Sequence, residues 1–336
     1  MLLLVLMSCG EPAETVPVTK DPPPAPTTPV PKPTASKPTG DTGSAGATGD
    51  TGAEVLPTVD CAALPLPANV AASVVTGTSA YHGLAFDDAG SMFGFSNGNV
   101  MKWDRYGKGG VLSPGVGGTE QFDWSPTTGM LYVLAGSDLL EIDTTKGGRS
   151  TLASGLGGPY GVKVGPDEKI YVANWQTIVR VDPATGAVET VVAGVGTPKV
   201  MDWSPDLTKL YFGTVGSGAV YSVDLDASFN PVAPPVVFAT GVGGWHDGLD
   251  VDACGNVYVA EFNNSAMYRI TPSGTVNVLF DPPLSSYGHG IQWGSGVGGW
   301  LLDAIYVPQP YGGNTVTEVI IGVPRRTYPG PVINYP

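Results

Sequence analysis

Charged residues are scarce in this chain of 336 residues, at 14% of the sequence, and basic residues are rarer than acidic ones. Sixteen Lys and Arg against 30 Asp and Glu give a net charge of −14. That charge repels phosphate backbones and excludes a nucleic-acid partner. No apolar run approaches the roughly 20 residues of a transmembrane helix. Local nucleophile motifs and phosphate loops are also lacking, and we expect a monomer that binds a small molecule.

Glycine and proline are abundant instead, with 48 and 32 residues. Both disfavour helix, so the composition predicts an all-β protein. Eleven of the prolines lie in residues 10–60, which contain almost no large apolar side chains. Such a segment cannot bury enough apolar surface to offset the entropy of ordering it. We therefore predict a disordered tether over residues 10–60 and a folded domain over residues 61–336.

The first nine residues are a short apolar run that ends in Ser8 and Cys9. This segment resembles a bacterial lipoprotein signal peptide, in which the cysteine after a small residue receives the lipid. The resemblance implies that Cys9 is lipidated and that the protein is exported to the periplasm or cell surface. Its only contact with the membrane would then be the N-terminal lipid.

A repeat of about 40 residues begins beyond residue 80. Six segments each open with a polar or aromatic residue ahead of an apolar strand, and successive openings are 38, 40, 39, 48 and 42 residues apart. The six opening residues are His82, Glu120, Tyr160, Lys199, Asp247 and His289. Further short strands and turns follow each opening, which indicates four antiparallel strands per repeat.

Four strands per 40 residues is the period of a β-propeller blade. The sequence therefore predicts a six-bladed β-propeller with four-stranded blades. The last repeat lacks a clear fourth strand, and residues 68–75 form a strand without a sheet of its own, so we predict that this strand completes blade six. A pair of β-sandwiches and a seven-bladed ring are the alternatives.

Two cysteines, Cys61 and Cys254, are left after Cys9. In an exported chain they predict a disulfide that ties the start of the domain to a turn of blade five. Two unpaired thiols are the alternative, since the sequence does not give the distance between the Cα atoms.

Residues 200–224 and 247–260 resemble blades of the gluconolactonase, senescence-marker-protein and regucalcin family. The resemblance implies a divalent cation, usually calcium, at the top of the channel, and hydrolysis of sugar lactones. In that family the ligands of the cation are a Glu, an Asn and an Asp, each of which opens the innermost strand of a blade. Only Asp247 matches here, as metal ligand and base, because His82 and Lys199 occupy the other two positions.

The opening residues themselves suggest a different metal site at the channel mouth. Blades five, six, one and two are consecutive in a closed ring, so four of the opening residues would form an arc, with Lys199 and Tyr160 opposite. The arc consists of Asp247, His289, His82 and Glu120. Two imidazoles and two carboxylates suit a transition metal such as Zn or Mn better than Ca. The alternative is a solvated mouth in which Lys199 pairs with Asp247 or Glu120.

Three functions are compatible with this site. The first is metal-dependent hydrolysis of a lactone or ester, with Asp247 or Glu120 activating water. Tyr160, Lys199, Asn174 and Glu261 would then contact the substrate. The second is non-catalytic binding of a ligand or protein. The third resembles streptogramin lyase, an eliminase, with His289 as base.

Overall fold

The computed structural model describes residues 61, 72–174, 176–280, 289–310 and 315–325. Over these residues, short runs of Val, Ile, Tyr and Phe form 24 β-strands, because such side chains favour extended backbone. These strands make six four-stranded antiparallel sheets. The predicted all-β, six-bladed propeller is confirmed. The predicted signal peptide with Cys9 and the tether over residues 10–60 lie outside the described residues. Within the described ranges, no helix has the length and apolar character to cross a membrane.

Each sheet runs outward from the central channel, and its strands follow chain order. Blade one contains β2 (Leu84–Phe86), β3 (Met92–Ser96), β4 (Asn99–Trp103) and β5 (Gly109–Ser113). Blade two contains β6 (Thr119–Trp124), β7 (Met130–Ala135), β8 (Asp138–Asp143) and β9 (Arg149–Ala153). Blade three contains β10 (Gly161–Val164), β11 (Ile170–Ala173), β12 (Thr177–Val181) and β13 (Val188–Ala193).

The remaining blades follow the same order, except that the last one also recruits the first strand of the domain. Blade four contains β14 (Thr197–Trp203), β15 (Lys209–Val215), β16 (Ala219–Asp224) and β17 (Val236–Thr240). Blade five contains β18 (His246–Val251), β19 (Val257–Glu261), β20 (Ala266–Ile270) and β21 (Val276–Phe280). Blade six contains β22 (Gln292–Trp293), β23 (Ala304–Gln309), β24 (Thr315–Ile320) and β1 (Ala72–Val75).

The hydrophobic core lies between neighbouring blades rather than within one sheet. Two interfaces use the same aromatic pair: Tyr171 of blade three meets Trp203 of blade four edge to face, and Tyr258 of blade five meets Trp293 of blade six in the same way. The ring centroids are 4.9 and 5.6 Å apart. All four rings are buried, so the repeating Tyr and Trp positions of the sequence form the contacts that join the blades.

The ring closes where β1 pairs with β24, from Ala72 opposite Val319 to Val75 opposite Val316. This confirms the prediction that an N-terminal strand completes blade six. A disulfide joins Cys61 to Cys254, with 5.5 Å between the Cα atoms. The start of the domain is therefore held both by a β-ladder on blade six and by a covalent bond to blade five.

Candidate active site at the channel mouth

The channel mouth is the end of the central channel at which the six innermost strands begin. Three of these strands contain a β-bulge there: β6 between Thr119 and Phe122, β14 between Pro198 and Val200, and β18 between His246 and Gly248. A bulge inserts a residue without a partner in the ladder and redirects its side chain. Lys199 and Asp247 are the inserted residues of β14 and β18, so the same irregularity presents both of them at the mouth.

Asp247 lies at the centre of a buried polar cluster. Its Oδ1 accepts hydrogen bonds from the Lys199 ammonium and, at 2.9 Å, from Trp245 Nε1. Its Oδ2 lies 2.9 Å from Nδ1 of His289. Lys199, Asp247 and His289 are all buried. The sequence placed Lys199 across the mouth from Asp247, whereas the structure has the two side chains in contact, which is the alternative pairing that the sequence left open.

The charge states within the cluster follow from its contacts. Burial opposes ionisation of Asp247, but the charge of Lys199 and the hydrogen bond from His289 outweigh it and lower the pKa of the carboxyl. Burial also lowers the pKa of His289, against the opposing effect of Asp247. At neutral pH the cluster therefore holds an ionised Asp247 and a neutral His289, whose Nδ1 is the ring nitrogen that faces the carboxylate. Lowering the pKa of a carboxyl makes its carboxylate a weaker base, so Asp247 is better suited to orienting His289 than to accepting a proton from water.

Aromatic rings surround the cluster. His82 and His289 are stacked, with centroids 4.6 Å apart and planes 8° apart, and the Tyr81 ring lies beside both, 4.4 Å from His82 and 6.2 Å from His289. Phe262 meets His289 edge to face at 4.8 Å. Tyr81, His82 and Phe262 are half-buried, so the buried charges lie beneath partly exposed rings.

Backbone contacts hold the blades together at this point. The Asp247 carbonyl accepts a hydrogen bond from Gly290 N at 3.0 Å and another from Gln121 Nε2 at 3.1 Å. A Cβ added to Gly248 would lie 2.5 Å from the Gly290 carbonyl carbon. Glycine after Asp247 therefore allows the innermost strands of blades five and six to approach closely enough for Asp247 to reach His289.

Two predicted substrate-binding residues, Glu261 and Asn174, support loops. Glu261 is fully buried, and its carboxylate accepts hydrogen bonds from four backbone N–H groups. The donors belong to Gly244, Trp245, Asn263 and Asn264. Asn174 Oδ1 accepts bonds from the backbone of Gln176 and from both donors of Thr177. Glu261 thus holds the loop that presents Trp245, and Asn174 holds a turn of blade three.

Tyr160 and Glu120 complete the predicted ring. The Lys199 ammonium lies over the Tyr160 ring at 5.0 Å, which joins Tyr160 to the cluster. Glu120 belongs to the bulge of β6, but its side chain lies outside the described residues, and its predicted roles as ligand and base stay predictions. Gln121 and Trp245 were not predicted from the sequence. Gln121 directly follows Glu120, and Trp245 lies two residues before Asp247, so closeness to a predicted ring residue was the only sequence signal for either of them.

The described members of the predicted metal site do not fit a divalent cation. One Asp247 oxygen contacts an ammonium, and the other lies 2.9 Å from Nδ1 of His289. A divalent ion 4 Å from that ammonium would be repelled by about 8 kcal/mol at an effective dielectric constant of 20. Among the residues whose side chains are described, no three His, Cys, Asp or Glu groups are arranged to hold a metal ion.

Comparison with known proteins agrees with the repeat pattern. Residues 161–286, in blades three to five, match the sequence model of a family described as SMP-30/Gluconolactonase/LRE-like region. The resemblance to this family is confirmed. None of the curated proteins matches the chain by sequence.

Solved structures share the propeller. A calcium-binding protein, regucalcin, from Agrobacterium tumefaciens str. C58 is 18% identical, with a TM-score of 0.64 over 77% of this chain and 95% of that one. A gluconolactonase from Xanthomonas campestris is 14% identical, with a TM-score of 0.63 over 80% and 94%. Virginiamycin B lyase from Staphylococcus aureus is 16% identical, with a TM-score of 0.52 over 75% and 98%. At these identities the similarity shows a common fold.

Proposed function

We propose that the channel mouth hydrolyses a small lactone or ester, with His289 as the general base and Asp247 as the residue that orients it. The contact of 2.9 Å between His289 Nδ1 and Asp247 Oδ2 carries this proposal. A neutral imidazole that donates from Nδ1 has its lone pair on Nε2. An imidazole oriented in this way by a carboxylate is a recurrent general base in enzymes.

In the proposed reaction, a water molecule attacks the carbonyl carbon while Nε2 of His289 accepts the proton that the water loses. The tetrahedral intermediate carries a negative oxygen, which the nearby ammonium of Lys199 favours. The ester C–O bond then breaks, and the leaving alkoxide takes the proton back from His289. The products are a carboxylic acid and an alcohol, joined in one molecule when the substrate is a lactone.

The test is hydrolysis of a panel of sugar lactones and aryl esters by the full-length protein in EDTA. We expect turnover that falls at least about 100-fold in His289→Gln and in Asp247→Asn, the range typical of a lost general base. His246→Asn, a substitution of the histidine next to Asp247, is the matched control and should retain activity. Turnover that EDTA abolishes and Zn²⁺ or Mn²⁺ restores would instead support a metal on His82, Glu120, Asp247 and His289.

Non-catalytic binding is the second candidate, and the half-buried rings of Tyr81, Phe262 and His82 favour it. Partly exposed aromatic faces above buried polar groups are typical of sites for small polar ligands. Calorimetric titration with members of the same panel separates the two functions. Heat of binding without product formation would identify a binding protein.

Elimination is a third outcome, because a base such as His289 also serves a lyase. The fold shared with virginiamycin B lyase supports elimination as a candidate reaction. Hydrolysis in H₂¹⁸O adds one labelled oxygen to the product. An unsaturated product without the label would identify an eliminase.

We further propose that the chain is exported as a monomer and anchored by a lipid on Cys9. The disulfide between Cys61 and Cys254 supports this proposal, since such bonds persist in oxidising compartments. Fractionation of bacterial cells that express the full chain tests it. The wild-type protein should sediment with membranes, and Cys9→Ser should not.

A further inference from the structure

The ammonium of Lys199 is enclosed by groups of the kind that bind a free cation. It contacts the Asp247 carboxylate, and it lies 5.0 Å from the centroid of the Tyr160 ring and 4.9 Å from that of Trp245. Only 6% of the Lys199 side chain is exposed. A carboxylate combined with two aromatic faces is a strong site for an ammonium ion in a water-poor environment.

Local geometry adapts this site to the lysine. The bulge of β14 directs Lys199 to the mouth, and Trp245 contributes both its ring face to the ammonium and its Nε1 hydrogen to the same Asp247 oxygen. Glu261 accepts the backbone N–H of Trp245 at 3.0 Å, which fixes the loop that carries the ring. The residues around the ammonium are therefore themselves held in place.

We infer that Lys199 is a built-in cation, which takes the place of a dissociable cation on Asp247 and keeps the mouth independent of metal ions. It follows that removal of the lysine side chain opens a site for a primary alkylammonium ion. This inference does not rest on hydrolysis, and stability and resonance measurements can test it whether or not the mouth is catalytic.

Lys163 provides a matched control. It is another buried lysine of the channel, on β10, and its Nζ lies 3.4 Å from Asp250 Oδ1. Asp250 belongs to β18, as Asp247 does, but lies three residues farther from the mouth. The two pairs thus share blade five and differ in their position along the channel and in their aromatic neighbours.

The first experiment is chemical rescue of Lys199→Ala. The substitution removes the Lys199 ammonium and leaves Asp247 without its cation. We expect the melting temperature to fall by about 10 °C, as for breakage of a buried ion pair. n-Propylammonium chloride, which supplies the missing three carbons and ammonium, should restore several degrees in a saturable way. n-Propanol at the same concentration should not restore the melting temperature, and neither should NaCl at the same ionic strength. The melting temperature of Lys163→Ala should not respond to the amine.

Absence of rescue in folded Lys199→Ala, or equal rescue by n-propanol, would overturn the inference. Lys199→Met provides a further check, because methionine fills the space without a charge. This variant should be destabilised, and its melting temperature should not respond to the amine. If the amine raised the melting temperature of Lys199→Met as much as that of Lys199→Ala, the ion would bind elsewhere and the inference would be overturned.

A second experiment uses the unaltered protein and needs no weakened variant. Mn²⁺ is titrated against wild-type protein while the imidazole resonances are followed by NMR, which is tractable because the chain has three histidines. We expect no preferential broadening of the His82 and His289 signals. Selective loss of those two signals at low Mn²⁺ would show a metal at the mouth and overturn the inference.

Discussion

At the residue scale, the cluster depends on how Asp247 is stabilised. An ionised carboxylate is buried at little cost only when charged and hydrogen-bonding groups replace water around it. Lys199, Trp245 and His289 supply these groups to Asp247. Removing the charge of Asp247 should therefore leave Lys199 as an uncompensated buried cation.

We predict that Asp247→Asn lowers the free energy of unfolding by about 3–5 kcal/mol, the cost of breaking a buried pair. Urea denaturation followed by circular dichroism measures this change. Asp88→Asn is the control, because Asp88 is exposed and should change stability by less than about 0.5 kcal/mol. Equal effects of the two substitutions would show that Asp247 is not held as described.

His246 predicts a pH dependence. Its Nδ1 accepts the backbone N–H of Thr214 at 3.2 Å, and burial lowers its pKa below the ordinary 6.5, against the opposing charges of Glu261 and Asp247. The unfolded chain therefore binds more protons than the native chain below pH 6.5, so this contribution to stability is complete above that value and is lost as the pH falls.

His246→Asn keeps an acceptor for Thr214 but removes the titration. Melting temperatures measured from pH 7.5 to 5 should therefore fall less in this variant than in the wild-type protein. Charge effects of the many carboxylates are common to both proteins and cancel in the comparison. Parallel profiles would contradict a buried, neutral His246.

At the element scale, a buried glutamate organises the loop ahead of β18. Glu261 bonds the N–H groups of Gly244 and Trp245, and a Cβ on Gly243, where φ is +75°, would lie 2.3 Å from Glu261 Cγ. The loop therefore closes tightly over the carboxylate, and the position of the Trp245 ring depends on Glu261.

We predict that Glu261→Ala lowers the free energy of unfolding by roughly 3 kcal/mol or more, because it leaves several buried donors unsatisfied. It should also shift the fluorescence of Trp245 to longer wavelength, measured as the difference from the same protein with Trp245→Phe. Glu141→Ala is the control, since the Glu141 carboxylate accepts a hydrogen bond from Ser150 in an exposed setting. An unchanged Trp245 spectrum would contradict the supporting role of Glu261.

The elements of this fold were predictable from sequence to different extents. Repeat spacing and turn residues predicted six blades and the closing strand, because each blade repeats one local pattern. Bulges were not predictable, because the sequence at Lys199 and Asp247 reads as an ordinary strand opening. One inserted residue per strand decides which side chains converge. For that reason the sequence predicted the contact of Lys199 with Asp247 only as an alternative to an arrangement in which the two side chains lie on opposite sides of the mouth.

At the scale of the whole molecule, the ring is closed by pairing of β1 with β24 and by the disulfide between Cys61 and Cys254, 193 residues apart in sequence. A cross-link over so long a loop restricts the unfolded chain strongly. The sequence favoured this pairing because Cys61 and Cys254 are the two cysteines besides Cys9, but it left two unpaired thiols open because it does not give the distance between them.

We predict that Cys61→Ser with Cys254→Ser lowers the free energy of unfolding by about 2–5 kcal/mol. Calorimetry with and without a phosphine reductant measures it. Reductant should destabilise the wild-type protein to the level of the double variant and leave that variant unchanged. A wild-type melting temperature that does not respond to complete reduction would contradict a stabilising role for this bond.

The protonation state of His289 is the most direct test of the proposed site. Nitrogen-15 NMR of histidine-labelled protein at pH 7, with signals assigned from His82→Gln and His246→Asn, reports which ring nitrogen carries a proton. The contact with Asp247 predicts a neutral His289 protonated on Nδ1, with its lone pair on Nε2. A neutral ring protonated on Nε2, or an imidazolium, would contradict the assignment of His289 as a general base oriented by Asp247.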